Sequence, residues 1–143
     1  MQSINFYDGV KIFDINGNPD RTIRINTADI GILERLENSI DTLNGLAEKA
    51  KSTEKIQDNK KYAVLGEIDK NIREQINYVF GSDVSTPAFG TACCFTFANG
   101  KPIFQNFLDA VIPIIEKDTQ KGTEQMKAVL DEYQNQLSEI TEE

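Results

Sequence analysis

Histidine is absent from this sequence. Imidazole is the usual general base near neutral pH and the commonest metal ligand. Its absence excludes Ser-His-Asp and Cys-His catalysis and every zinc site that needs a histidine. Cysteine is nearly absent: Cys93 and Cys94 are the only two. A disulfide between neighbours closes almost no loop and constrains little, and two thiolates are too few for structural zinc. Both are therefore read as reduced thiols packed as small apolar side chains, which points to a cytosolic compartment. Basic runs do not exceed Lys60-Lys61, and the chain carries 15 basic against 23 acidic residues, a formal net charge of -8. Phosphate recognition draws on clustered Lys and Arg, so neither nucleic acid nor an anionic membrane surface is an expected partner. Long apolar runs are missing too. The longest lies near Val111–Ile115, far short of a membrane span, and the first residues lack the basic and apolar regions of a signal peptide.

The 143 residues suit one domain, and 39% apolar with 27% charged residues is an ordinary globular balance. The hydropathy pattern predicts a mainly α fold of the α+β kind. An N-terminal β-hairpin leads into a small helical bundle of three to four helices. The expected organisation is a hairpin over residues 1–26, a helical core over 27–118 and a C-terminal heptad-patterned helix over 119–143. Lys11–Ile15 and Thr22–Ile25 are β-rich and flank the turn-forming stretch Asn16–Asp20. They read as a hairpin whose loop exceeds two residues. Asn26 or Thr27 is the expected cap of a helix over about 28–51. Ile30, Leu33, Leu36, Ile40, Leu43, Leu46 and Ala50 form its apolar face. Residues 52–60 read as a loop. A second helix over about 61–80 carries Leu65, Ile68, Ile72, Ile76, Val79 and Phe80 and stops at Gly81.

Residues 81–100 read as a long loop that is unusually aromatic, with Phe89, Phe95 and Phe97. Such a loop is often functional. Its rings either plug the core or offer an apolar patch to a partner. Asn99-Gly100-Lys101-Pro102 reads as the start of a third helix, with Ile103, Phe104, Phe107, Leu108, Val111, Ile112 and Ile115 on its apolar stripe. Pro113 is expected to kink or break it. In the tail, Met126, Leu130, Tyr133, Leu137 and Ile140 step by four, three, four and three, a heptad seam. That seam either lies back on the domain or projects to pair with a copy or a partner.

Few chemical signatures are present. No phosphate loop, dinucleotide fingerprint or calcium-loop spacing occurs. Asp14, Asn16, Asn18 and Asp20 alternate like calcium ligands, but the glycine sits at 17 and Ile25 occupies the closing position, so the stretch is a turn. The carboxylates fall on polar helix faces, with no pair set apart for acid/base work. No catalytic, cofactor-binding or metal-binding residue is assigned. The candidate partner-binding residues are Phe89, Phe95, Phe97, Phe104, Phe107, Met126, Leu130, Tyr133 and Leu137.

Two stretches carry a family resemblance. One is Asp14-Ile15-Asn16-Gly17 with Ile23-Arg24-Ile25-Asn26-Thr27-Ala28-Asp29-Ile30 and Glu34-Arg35-Leu36. The other is Val79-Phe80-Gly81-Ser82-Asp83-Val84-Ser85, then Phe89-Gly90, Cys94, Asn99-Gly100-Lys101-Pro102-Ile103-Phe104 and Phe107-Leu108-Asp109-Ala110. Together, over roughly residues 11 to 118, they resemble the tail assembly chaperones of long-tailed phages and prophages of Gram-positive bacteria. The resemblance implies a non-enzymatic helical protein that binds the tape measure protein and recruits tail tube subunits around it. It implies many copies on one client, and hence a homo-oligomer. The place of action would be the host cytoplasm, with the protein absent from the mature virion. In such families a ribosomal frameshift often makes a C-terminally extended form. A virion structural or tail-completion protein is the alternative.

Overall fold

The computed structural model describes residues 1–141, without the side chains of Glu54, Tyr133 and residues 137–141. The fold is mainly α with an N-terminal antiparallel hairpin. Strands β1 (Val10–Ile15) and β2 (Asn18–Asn26) pair with Phe13 opposite Ile23 and Lys11 opposite Ile25. The turn between them is only Asn16-Gly17, both at positive φ, shorter than the loop expected over 16–20. Two such residues twist in the same sense as the flanking strands, which is why Asn-Gly closes tight hairpins. The extra residues are absorbed as an irregularity between Asp14 and Ile15. There Pro19, which has no amide to donate, leaves the ladder. Alternation then turns Ile23, Ile25 and Thr27 into the core and leaves Thr22 and Arg24 outside.

Helix α1 (Ile30–Ser52) is capped by Asp29, whose carboxylate accepts the Gly31 amide at 2.9 Å, rather than by Asn26 or Thr27. Thr27 instead donates its hydroxyl to Asp118 at 2.5 Å. The buried face is Ile32, Leu36, Ser39 and Leu43, while Ile30 is 67% exposed and Ile40 43%. The face that packs is thus rotated from the expected one. Burying Ser39 is tolerated because Gln75 Nε2 donates to its hydroxyl at 2.6 Å, leaving no orphaned polar group.

Residues 52–60 are not a loop throughout. A 3-10 turn at Thr53–Lys55 leads to α2 (Asp58–Phe80), and the buried Thr53 hydroxyl donates to the Ala50 carbonyl at 2.7 Å. Helix α2 packs against α1 through Ile68, Ile72, Ile76 and Val79. It ends at Gly81, in the left-handed conformation with its amide donating to Asn77 at 2.8 Å.

The stretch 81–100 is ordered by side chains. Asn77 Oδ1 accepts the amides of Val84 and Ser85, and Asp83 accepts the amide of Thr86, starting the short α3 (Ser85–Phe89). Arg73 donates to Asp69 and to the carbonyls of Gly90 and Ala92, with its guanidinium 5.7 Å from the centre of the Phe89 ring. The Cys94 amide donates to Asp69 at 2.8 Å. Asn99-Gly100 is not a helix start. Both residues have positive φ, and they close a second tight hairpin, β3 (Phe97–Ala98) with β4 (Lys101–Pro102).

The third helix and the tail are one helix, α4 (Ile103–Thr141). Its 39 residues run about 58 Å. Pro113 lies inside it at an exposed position, and Asp109, whose carbonyl loses its amide partner, is exposed as well, so water can take the place of the missing donor. That is how a residue normally costing about 3 kcal/mol in a helix interior is carried. Phe104, Leu108, Val111, Ile115 and Thr119 bury one face of α4, and Lys11–Asp118 at 2.7 Å ties that region to the hairpin.

Candidate binding surfaces

An apolar groove of about 590 Å³ opens between the first hairpin, α3 and the near half of α4. Strand alternation supplies Phe13, Ile15 and Ile23 on one wall, while Ile103, Phe107, Ala110, Val111 and Ile114 recur at helical spacing on the other. Phe107 forms the floor. Its ring meets Phe80 and Phe89 edge-on, each with centroids 5.7 Å apart. Arg21 stands at the rim and donates to the carbonyls of Pro87 and Ala88 at 2.8 and 2.6 Å. That guanidinium fixes the position of α3 against the hairpin, and with it the width of the groove.

A second cavity of about 450 Å³ lies between the C-terminal end of α1 and the small hairpin. Ala47, Ala50, Phe95, Phe97 and Pro102 give it an apolar lining, with Glu48, Lys51 and Gln105 also around it.

The expected partner-binding residues do not form one patch. Phe89 and Phe104 are core residues, 6% and 5% exposed, although the edge of Phe89 reaches the first groove. Phe107 lines that groove, and Phe95 and Phe97 line the second cavity. Met126 and Leu130 lie on the far half of α4, each 58% exposed. The side chains of Tyr133 and Leu137 lie outside the described residues. The sequence reading missed Phe13, Ile15, Ile103 and Ile114, half-buried or exposed residues that turn out to share the first groove. Phe13 and Ile15 carried a usable signal, because period two places both on the face of Ile23. Nothing in the pattern says that α4 stops short of covering them.

The groups whose acidity the fold shifts lie away from both cavities' chemistry. Burial raises the Cys94 thiol strongly, and its contact with Asp69 raises it further. Burial raises Cys93 as well. Both therefore stay protonated, the state of an inert packed thiol. Burial pushes the Asp83 carboxyl up, but hydrogen bonds from Thr86, Ser85 and Asn77 prevail and hold it below its ordinary value. Hydrogen bonds from Lys11 and Thr27 lower Asp118. Among the described residues no cluster of three metal-ligating side chains occurs, and no helix is long and apolar enough to cross a membrane. No known protein family, curated protein or solved structure matches the chain.

Proposed function

We propose that this chain is a tail assembly chaperone of a long-tailed phage or prophage. It would hold an apolar helical segment of the tape measure protein and support assembly of tail tube subunits around it. The reading starts from the resemblance over residues 11–118, and the observation that carries it furthest is the open groove floored by Phe107. An amphipathic helix presents apolar side chains at i, i+3, i+4 and i+7, and an apolar channel between a hairpin and a helix suits such a ligand. The polar groups near the groove fit binding better than chemistry. Arg21 is engaged by backbone carbonyls, and Asp14 accepts the Gly17 amide of the turn at 3.1 Å. The strongly shifted thiol of Cys94 does not line it. Surplus negative charge favours solubility for a protein that keeps such surface open.

The test is co-expression with overlapping tape measure fragments followed by size-exclusion chromatography. At least one apolar helical fragment is expected to co-elute, and Ile114→Glu, a change at the groove edge, is expected to abolish co-elution while leaving the fold intact. Failure of every fragment to co-elute would overturn the proposal. Recovery of the protein in mature particles would instead favour the structural or tail-completion alternative.

A further inference from the structure

We propose that Asn99 is a site of spontaneous covalent modification, the one asparagine of three in the same sequence context that the fold leaves unprotected. Asn16-Gly17, Asn44-Gly45 and Asn99-Gly100 are all Asn-Gly pairs. In such a pair the glycine amide nitrogen can attack the asparagine side-chain carbon, because no Cβ obstructs it and the two groups are already tethered. The N–Cγ bond forms, the Cγ–Nδ2 bond breaks, and the proton of the attacking nitrogen leaves with Nδ2 as ammonia. Water then opens the cyclic imide at either carbonyl, giving aspartate or isoaspartate. By sequence the pairs are equal. Access does not rank them either. All six residues are exposed, and a Cβ at any of the three glycines would meet nothing within 4 Å.

What ranks them is the fate of the glycine amide. Gly45 lies inside α1, where the helix ladder commits its amide to the carbonyl four residues back and fixes the backbone. The other two pairs sit in nearly identical turns, with φ of 53° and 57° at the asparagines and 76° and 80° at the glycines. Their amides differ. That of Gly17 donates to Asp14 Oδ1 at 3.1 Å. The carboxylate holds the proton that attack must release, and its negative charge opposes an anionic nitrogen beside it. Two residues before Asn99, where Asp14 stands before Asn16, the chain has Phe97, which is 61% exposed and offers no acceptor. Among the described residues no hydrogen bond takes the Gly100 amide. Deamidation of the folded chain therefore starts at Asn99. Opening to aspartate leaves Asp-Gly, itself a hairpin pair. Opening to isoaspartate threads the backbone through an extra carbon, and β3 and β4, of two residues each, lose their register. The wall that Phe97, Gly100 and Pro102 give the second cavity loosens with them.

Timed incubation of the folded full chain at mildly alkaline pH, read by peptide mass mapping, tests this. Asn99 is expected to deamidate about tenfold faster than Asn16, the factor that one amide hydrogen bond supplies, and faster still than Asn44. In denaturant the rates should converge, since the protection goes with the fold. Asp14→Ala should raise the Asn16 rate about tenfold, toward that of Asn99, with circular dichroism unchanged and Asn99 unaffected. Phe97→Asp, which rebuilds the acceptor beside Gly100, should slow Asn99. Deamidation of Asn16 or Asn44 as fast as Asn99 in the folded chain would overturn the proposal. So would a ranking that persists in denaturant, or an Asn16 rate indifferent to Asp14→Ala.

Discussion

The two halves of α4 carry one pattern and meet two fates. Phe104, Leu108, Val111 and Ile115 are buried under the hairpin, α1 and α3, while Met126, Val129 and Leu130 on the same arc stand in water. The comparison teaches that amphipathic periodicity reports a face that wants cover, and says nothing about which molecule supplies it. Past Thr119 the helix extends beyond the elements that cover its first half.

The sharpest way to break the comparison is to truncate one residue in each half. Ile115→Ala, at a fully buried site, should cost about 2–5 kcal/mol in urea denaturation, from lost transfer energy plus the cavity left behind. Leu130→Ala should stay within about 0.5 kcal/mol when measured at dilution, because its side chain has little to lose. Equal costs would mean that the far half docks on its own domain. Between these extremes stands Arg73→Ala, expected to cost about 2–3 kcal/mol. It would leave the carbonyls of Gly90 and Ala92 and the Asp69 carboxylate without their cation. It should also raise protease sensitivity in 81–96, whereas Leu130→Ala should not. A smaller effect is expected at Gly100→Ala, about 1 kcal/mol, since the φ of +80° is strained for any residue with a Cβ.

Acid sharpens the contrast from another side. The folded state lowers the pKa of both Asp83 and Asp118, so it binds protons less readily than the unfolded chain. The stability these groups contribute is complete above the ordinary value of 3.8 and is lost as pH falls through their lowered values. Asp118→Asn should flatten the acid limb of a stability profile and loosen Lys11 and Thr27 from α4, with little change at pH 7 beyond the lost ion pair.

Much of the fold was legible. The hairpin strands, both central helices, the stop at Gly81 and the mainly α class follow from periodicity and turn residues, because those signals are local. The misreadings share a cause. The choice of Ile32 and Ser39 over Ile30 and Ile40 for the buried face of α1 depended on where Gln75 lies on another helix. The loop at 81–100 became ordered through Arg73 and Asp69, supplied from α2. Asn99-Gly100 closes a turn as Asn16-Gly17 does, but Pro102 just after it suits a helix start equally well, so the local signal points both ways. Of the binding surface, the sequence marked Phe107, Met126 and Leu130, but the groove joins residues from three elements and could not be assembled from any one of them.

The linear order of residues alone decided the composition-level facts: a chain without imidazole, an acidic charge balance, two strands before the first helix, and apolar residues at heptad spacing from Met126 onward. Tertiary structure decided which of the aromatic rings became core, where the groove opened, and that α4 runs on through Pro113 and leaves the domain. Those outcomes depend on contacts between residues distant in the chain, and on whether the backbone carbonyl left free by Pro113 points at water or at protein.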